Sequence, residues 1–192
     1  MPKIILPSRS RQKDNVFLQP WLETRLEERQ DRTYASLAAL QPPVFGFIPK
    51  LSEKEMAKPL TSAEILGNPC HFVKITKFYG VDAFNVFASV RDDRYQILVE
   101  FTPRCVSEFE RRHRSRITCD TVNSLCVIGD CKLFYRERSY VLKYYKLDIA
   151  SFKTTTNRTL RRVPVLVVNQ ISRFEMDQVG TLDQYPFIYN VL

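Results

Sequence analysis

Residues 68–101 read NPCHFVKITKFYGVDAFNVFASVRDDRYQILVEF, and this stretch predicts three consecutive strands. Proline has no N–H to give and pushes the residue before it into an extended conformation, so Asn68-Pro69 marks a turn. Residues 70–79 are rich in aromatic and β-branched side chains, which suit a pleated, half-buried surface. Gly80 and Asp82 break that run. Phe84, Val86, Ala88 and Val90 then recur at every second position, and residues 95–101 repeat the alternation with Ile97, Val99 and Phe101. A period of two is the mark of a strand with one buried face. Asp92, Asp93 and Arg94 form a charged turn between these runs. Connections this short join antiparallel neighbours, so the stretch reads as a β-meander.

Downstream, Thr102-Pro103 places a capping hydroxyl before a proline, which predicts a helix over residues 103–113. Val106 and Phe109 face inward on it, and Glu108 and Arg112 pair four apart outside. Residues 117–124 are polar and irregular. Residues 125–128 predict a buried strand, interrupted at Gly129-Asp130 and resuming through Leu133 and Tyr135. Residues 136–139 read as a turn, 140–149 as another strand, and 151–162 as a basic, threonine-rich loop. Pro164 demotes residues 163–168 to an edge or irregular strand. Residues 171–178 predict a terminal helix, and residues 185–192 a segment packed onto the domain. Three strands, a helix, then further strands is the order of the OB-fold, a five-stranded Greek-key β-barrel. The expected fold is therefore mainly β. An OB barrel with a C-terminal helix spans 68–192, with one helix between strands 3 and 4, and follows an N-terminal helical extension over 1–67.

In the extension, residues 1–12 read as an extended segment. Phe17, Leu18, Trp21, Leu22 and Leu26 recur at helical spacing, with Pro20 in the first turn of the helix. Residues 32–50, with Pro42, Pro43, Gly46 and Pro49, read as a loop. Ser52 and Glu55 have capping-box spacing and predict a short helix over 51–57, ended by Pro59. Residues 61–66 add one helical turn.

With 192 residues and a 44% hydrophobic share, the chain has the composition of one packed domain with an elaboration. A net charge of +8 and a pI near 9.3 point to an acidic partner, nucleic acid first. No apolar run approaches the roughly 20 residues that span a bilayer, and the opening Ile-Ile-Leu is too short for a signal peptide, so an intracellular chain with no membrane partner is expected. The five cysteines, Cys70, Cys105, Cys119, Cys126 and Cys131, fit reduced and mostly buried thiols. They lack the paired C-x-x-C spacing of a zinc site, and the chain has no phosphate-cradling glycine loop, serine elbow or metalloprotease histidine pair. No catalytic residue, cofactor or metal is predicted.

What remains is binding. Lys74 and Lys77 alternate with Phe72, Phe78 and Tyr79, an arrangement that either stacks and neutralises single-stranded nucleic acid or is packed aromatics beside a solvated edge. Arg104, Arg111, Arg112, Arg114 and Arg116 form one basic cluster, and Lys153, Arg158, Arg161 and Arg162 a second. Either cluster touches phosphates or keeps the protein soluble. Asp120, in the polar string 116–123, would repel phosphate and favours protein recognition. Trp21, the single tryptophan, is a candidate anchor for a partner.

Long strings of the chain resemble a known family. VFLQPW at 16–21, NPCHFVKITKFY at 68–79, QILVEF at 96–101, FERRH at 109–113, RITCDTVN at 116–123, PVLVVNQ at 164–170 and FEMDQVG at 174–180 are similar to the third "ever shorter telomeres" protein family of budding yeasts. The resemblance runs nearly end to end and is weakest over 31–50 and 135–162. It implies a non-catalytic regulatory subunit of telomerase in the nucleus, at telomeric chromosome ends. Its OB domain would be similar to the telomerase-recruiting domain of mammalian shelterin. The implied partners are the reverse transcriptase subunit, the recruitment subunit and, within the complex, telomerase RNA. The implied telomerase-binding surface falls on Trp21, Glu55, Lys74, Lys77, Asp92, Asp120, Thr121, Asn123, Asp177 and Val179, with Glu55 and Asp120 keeping an acid of altered length. Asp92 and Arg116 carry opposite charge at two connections of one barrel and are expected to form a structural salt bridge. The alternative function is a single-stranded nucleic-acid-binding OB protein, and a weak contact of that kind is also compatible with the subunit reading.

Overall fold

The meander forms where the alternation puts it. In the computed structural model, which describes residues 18–30, 42–57, 71–154, 159–175 and 184–191, β2 (His71–Asp82), β3 (Asn85–Arg91) and β4 (Gln96–Phe101) are joined as antiparallel hairpins. β5 (Leu125–Glu137) returns beside β2, with His71 opposite Ile128 and Lys74 opposite Leu125. β6 (Arg162–Glu175) runs antiparallel along β5 and parallel to β4, with Val99 opposite Leu166 and Phe101 opposite Val168. The ring β5-β2-β3-β4-β6 closes on itself, and closure removes the open sheet edges that invite aggregation. This is the OB-fold. β1 (Val44–Ile48) adds to β5 at Cys131 and Leu133, beyond the point where β2 leaves it.

The inward residues of the alternation fill the barrel: Val73 and Ile75, Val86, Ala88 and Val90, Ile97, Val99 and Phe101, Cys126 and Ile128 share one core. Both faces of β4 are covered, so Leu98 and Glu100 are buried as well. The helix at Pro103–His113 (numbered α3, after α1 at Leu22–Gln30 and α2 at Glu53–Ala57) forms for the reason read from its first residues. The Thr102 hydroxyl accepts the Cys105 N–H at 3.3 Å, proline occupies the first turn, and Cys105 and Phe109 are buried. At α2 the Ser52 N–H donates to Glu55 Oε2 at 2.6 Å and the Glu55 N–H to Ser52 Oγ at 3.3 Å, the reciprocal capping box.

Five expectations need correction. Residues 171–175 belong to strand β6, not to a terminal helix. The helical turn near the C-terminal end is instead a 3₁₀ turn at Ile188–Asn190. Pro164 does not demote β6 to an edge. Its carbonyl points away from β5 to Tyr189, and its nitrogen faces the same side, where β4 joins only from Leu166 onward. Residues 138–145 are a helix, α4 (Arg138–Tyr145), not a strand. The aromatic content suggested β, but the buried pair Val141 and Tyr145 lies four apart, one helical turn. β5 runs unbroken through Gly129: a Cβ there would lie 2.5 Å from Leu51 Cγ, so the glycine admits the extension rather than ending the strand. Finally, the stretch read as a loop over 32–50 contains β1, with Gly46 at φ +63°. Residues 1–17, the helical turn at 61–66, the Asn68-Pro69 turn and Cys70 lie outside the described residues.

The extension is tied down by side chains of β6. Gln170 accepts the Leu51 N–H at 2.8 Å and donates to the Leu51 carbonyl at 3.2 Å, and Ser172 Oγ donates to the Met56 carbonyl at 3.0 Å. The C-terminal segment closes the opposite seam. The Gln96 N–H donates to the Pro186 carbonyl at 3.0 Å. The fully buried Tyr189 hydroxyl accepts the Leu98 N–H at 3.1 Å and donates to the Pro164 carbonyl at 2.8 Å, bridging β4 and β6 just before their parallel pairing begins.

Tyr189→Phe strands one buried donor and one buried acceptor. It is expected to cost about 2 kcal/mol or more, read as a lower urea midpoint at unchanged slope. A midpoint equal to wild type would show that the hydroxyl does not hold the seam.

Candidate functional site

The site begins with a helix whose own sequence cannot cap it. Trp21 stands at the N-cap of α1, its carbonyl accepting the Arg25 N–H at 3.0 Å, and tryptophan has no oxygen to offer the unpaired N–H groups of the first turn. The acceptor comes from the β3–β4 turn. Asp92 Oδ2 accepts the Trp21 and Leu22 N–H groups, each at 2.9 Å. Oδ1 accepts those of Arg94 at 2.8 Å and Tyr95 at 2.9 Å. Asp92 is fully buried. A carboxylate at a helix N-terminus also meets the positive end of the helix dipole.

So held, α1 buries Leu22 and Leu26 in the main core, while Leu18 packs with Phe72, Leu125 and Val127 in a second cluster. The Trp21 indole N–H donates to the Phe72 carbonyl at 3.1 Å, and its ring meets His71 edge-on at 4.8 Å. The indole is left half-buried, fixed in orientation with part of its surface open.

Further along β2, past its pairing with β5, the Asn123 N–H donates to the Ile75 carbonyl at 2.7 Å. Asn123 adopts φ +69°, a left-handed conformation that asparagine tolerates better than most residues. The turn before it is built by two threonines. The Thr118 N–H donates to Thr121 Oγ1 at 3.2 Å, Thr121 Oγ1 donates to the Thr118 carbonyl at 2.6 Å, and the Asp120 N–H donates to Thr118 Oγ1 at 3.3 Å. Thr121 is buried and Asp120 exposed. Lys77, two residues beyond Ile75, is exposed, its Nζ 5.0 Å from the Tyr79 ring centre.

The predicted positions thus divide. Trp21 stands at the start of β2, against the Phe72 carbonyl on the side of β3, whereas Asn123 meets the Ile75 carbonyl on the side of β5, with exposed Asp120 in the turn before it and exposed Lys77 further along the strand. Glu55 sits apart, in the α2 capping box. Lys74, Asp92 and Thr121 are buried, Asp92 capping α1 and Thr121 closing the turn before Asn123. Lys74 does not line a groove, because the outer face of β2 is covered at this end, where Phe72 packs against Leu18 and Phe174. Asp177 and Val179 lie outside the described residues. The expected Asp92–Arg116 salt bridge is absent. Arg116 lies 3.5 Å from Glu110, while both Asp92 oxygens are taken by backbone N–H groups. Cys105, Cys126 and Cys131 are buried free thiols, and burial pushes Cys126 up to about 12, which leaves it inert.

Sequence reasoning missed a second feature, on the outer face of β5. Lys132, Phe134 and Arg136 alternate there, and Phe45 of β1, 64% exposed, meets Phe134 edge-on at 6.3 Å. Lys132 lies 5.4 Å from the Phe45 ring centre, and Arg136 lies 5.1 Å from that of Phe134 and 4.4 Å from that of Tyr140. Arg136 and the Tyr140 hydroxyl both bond Glu100 Oε2, at 3.0 and 2.8 Å. The basic–aromatic alternation was visible in the sequence, but the supposed break at Gly129 and the loop reading of residue 45 hid it.

Comparison with known proteins adds to this geometry. The profile of the family described as shelterin complex subunit, TPP1/ACD, matches residues 18–189. Telomere replication protein EST3 of Candida glabrata is 40% identical over 192 residues, covering 100% of both chains. The protein of that name in Eremothecium gossypii is 37% identical over 188 residues, 98% of this chain and 89% of its own. The solved structure titled Est3 telomerase subunit in the yeast Hansenula polymorpha aligns at TM-score 0.50 and 18% identity, over 79% of this chain and 89% of that one, and supports the fold.

Two outcomes follow from the Trp21 end. Asp92→Ala leaves four N–H groups without their acceptor and is expected to cost about 3 kcal/mol or more; Asp92→Asn, keeping one oxygen, should lose less. Equal stability of Asp92→Ala and wild type in urea would remove the capping role. The second outcome is a pH dependence. Burial, and then the charge of Arg25, lower His71 to about 4, against about 6.5 in an unfolded chain. The folded state therefore binds fewer protons, so stability is full above about pH 6.5 and falls as pH drops toward 4. His113, lowered to about 4 by burial and then by Arg173 and Arg112, acts in the same direction. Unfolding followed by Trp21 emission should show a shallower acid slope in His71→Gln; an unchanged slope would dismiss His71 as a contributor.

Proposed function

The chain belongs to the telomere replication protein EST3 family, and on that basis we propose that it is a non-catalytic regulatory subunit of telomerase, binding through a composite protein surface on its OB barrel. The observation that carries this reading is the Trp21 indole, oriented by Asp92 and the Phe72 carbonyl and left half open. An immobilised aromatic that keeps part of its surface free loses little entropy on docking and makes a strong anchor. Elsewhere along β2 the barrel offers a cation, an anion and an amide: exposed Lys77 and Asp120 and half-buried Asn123. That mixture suits a polar protein rim better than a phosphate track, where Asp120 would be repelled. Asp92 of the barrel holds Trp21 of the extension, so residues before 68 and the barrel serve this surface together. The proposed partners are the reverse transcriptase and recruitment subunits, in the nucleus at chromosome ends, with telomerase RNA in the complex. The exposed arginines Arg111, Arg114 and Arg116 speed association without setting specificity.

A second reading, single-stranded nucleic-acid binding, draws support from one observation, the Phe45, Lys132, Phe134 and Arg136 strip on β5. Cations alternating with rings make a platform on which bases stack. It is compatible with the first reading as a weak accessory contact.

The test pairs telomerase co-purification with binding to short telomeric single strands for wild type, Trp21→Ala, Lys77→Ala and Lys132→Ala. Trp21→Ala is expected to lose roughly 2 kcal/mol or more of association with the holoenzyme while the purified chain stays folded. Lys132→Ala should weaken only the salt-sensitive strand binding, by about one phosphate contact. Intact telomerase association in Trp21→Ala and Lys77→Ala, alongside tight DNA binding lost in Lys132→Ala, rejects the subunit reading.

A further inference from the structure

At the far end of β2 the chain makes a choice that the fold does not need. Asp82 and Asn85 close the β2–β3 hairpin around Ala83 at φ +47° and Phe84 at φ +65°. Both central residues are left-handed, the requirement of a tight primed hairpin turn, which is why Asn-Gly or Asp-Gly is favoured there. A bulky side chain in that region is strained. Phe84 is also 80% exposed, so it recovers nothing by packing. The Asn85 side chain braces the turn only by 3.4 Å bonds to the Asp82 and Ala83 carbonyls. Val81, 61% exposed, stands on the same tip, and Leu142 of α4 is 49% exposed.

The tip rests on a rigid base. Phe87 stacks on Tyr144 at 4.5 Å with ring planes 11° apart, and Tyr145 meets Phe87 edge-on at 5.5 Å and Tyr79 at 5.4 Å. α4 is thereby fixed against the hairpin. Beside Leu142 it carries exposed Lys143, and exposed Lys146 caps its C-terminal end, with Lys146 Nζ donating to the Lys143 carbonyl at 2.8 Å. Tyr144, the neighbour of Lys143, is the residue stacked on Phe87, so Lys143 stands on the helical turn that packs on the hairpin. The two lysines make the exposed side of this end of the helix, next to the hairpin it packs on, positive.

We propose that the β2–β3 hairpin tip and the adjoining face of α4 form a second protein-docking knob, which seats Phe84 in an apolar pocket rimmed by carboxylates on a partner protein. Exposed Phe84, Val81 and Leu142 supply the apolar contact, and Lys143 and Lys146 select the acidic rim. A nucleic acid fits less well, because the aliphatic Val81 and Leu142 offer no ring for bases to stack on. The knob is separate from the Trp21 surface: from Phe72 to Val81 is nine residues of strand, roughly 30 Å. It goes beyond the reading given under Proposed function, since both ends of β2 can be occupied at once.

The test has two arms on the full-length chain. Phe84→Asn puts a left-handed-tolerant residue at the tip; the purified variant is expected to melt at or above the wild-type temperature, and a lower melting temperature would show that Phe84 serves the fold and overturn the proposal. In the second arm a photo-crosslinking benzophenone amino acid replaces Phe84 in living cells. One discrete protein adduct is expected, its crosslinked peptide apolar and flanked by Asp or Glu. The adduct should fall at least tenfold in Lys143→Glu/Lys146→Glu, move the same way in the milder Lys143→Gln/Lys146→Gln, and persist in Trp21→Ala. No adduct, an adduct to nucleic acid, or one indifferent to both lysine pairs overturns it. Because the adduct is scored without reference to telomerase, failure of the Trp21 surface leaves this result readable.

Discussion

One carboxylate joins the two parts of this protein. Asp92 sits in a turn between two barrel strands, where its short side chain closes the turn by accepting the N–H groups two and three residues ahead. Its second oxygen reaches a helix 70 residues earlier in the chain and satisfies the first two donors there. Backbone N–H groups buried without partners are costly, so the helix is stable in this place only because the turn is formed, and the turn presents its oxygen in the right direction only because the barrel holds β3 and β4 in register. The Trp21 surface inherits its geometry from that chain of dependence. Gln170 and Ser172 do the same for residues 51 and 56, so barrel side chains bond the extension's backbone beside the pairing of β1 with β5 and the burial of Leu22 and Leu26.

This explains which features were legible in the sequence. Local chemistry was. The Thr102-Pro103 start of α3, the Ser52–Glu55 box and the period-two runs of β3 and β4 involve residues a few positions apart, and each formed as read. The OB order followed from them. The misreadings share a different character. α4 carries aromatic and β-branched residues that suit strands, and only packing against Phe87 and Tyr79 settled the helix. Pro164 and Gly129 looked like breaks because their reasons, a neighbouring strand that arrives late and a leucine from the extension, lie far off in sequence. Asp92 was paired with Arg116 on opposite charge, position at two barrel connections and the family resemblance, whereas its partners are peptide N–H groups, which every non-proline residue has and no sequence pattern advertises.

The site residues divide along the same line. The positions that the resemblance implies differ in exposure, which residue type does not reveal. Lys74 and Thr121 are a cation and a hydroxyl that look like surface groups and are buried. Trp21 looks like core and is half open. Burial in this protein depends on what the N-terminal extension covers, and the extension's path is set by hydrogen bonds from distant strands. The β5 strip escaped notice for the complementary reason: its ring at Phe45 comes from a strand too short, and too rich in glycine and flanking prolines, to be recognised before β5 is there to pair with it.

The seam closed by Tyr189 has a consequence for how the protein is made. The hydroxyl that ties Leu98 to Pro164 belongs to a residue translated long after both of them. A nascent chain that stops before Tyr189 holds all five barrel strands and still leaves two buried polar groups at the β4–β6 junction without partners. Before that residue is in place, β4 and β6 are joined by their parallel stretch from Val99 to Phe101 and by Thr102, whose N–H and hydroxyl donate to the Val168 carbonyl and to Asn169 Oδ1. Without the phenol, the Leu98 N–H and the Pro164 carbonyl face each other's strands unpaired, and exposed backbone of that kind is what strands use to pair with a wrong neighbour. A chain cut short before Tyr189 is accordingly expected to be the more aggregation-prone form, lacking the single phenol that completes the seam.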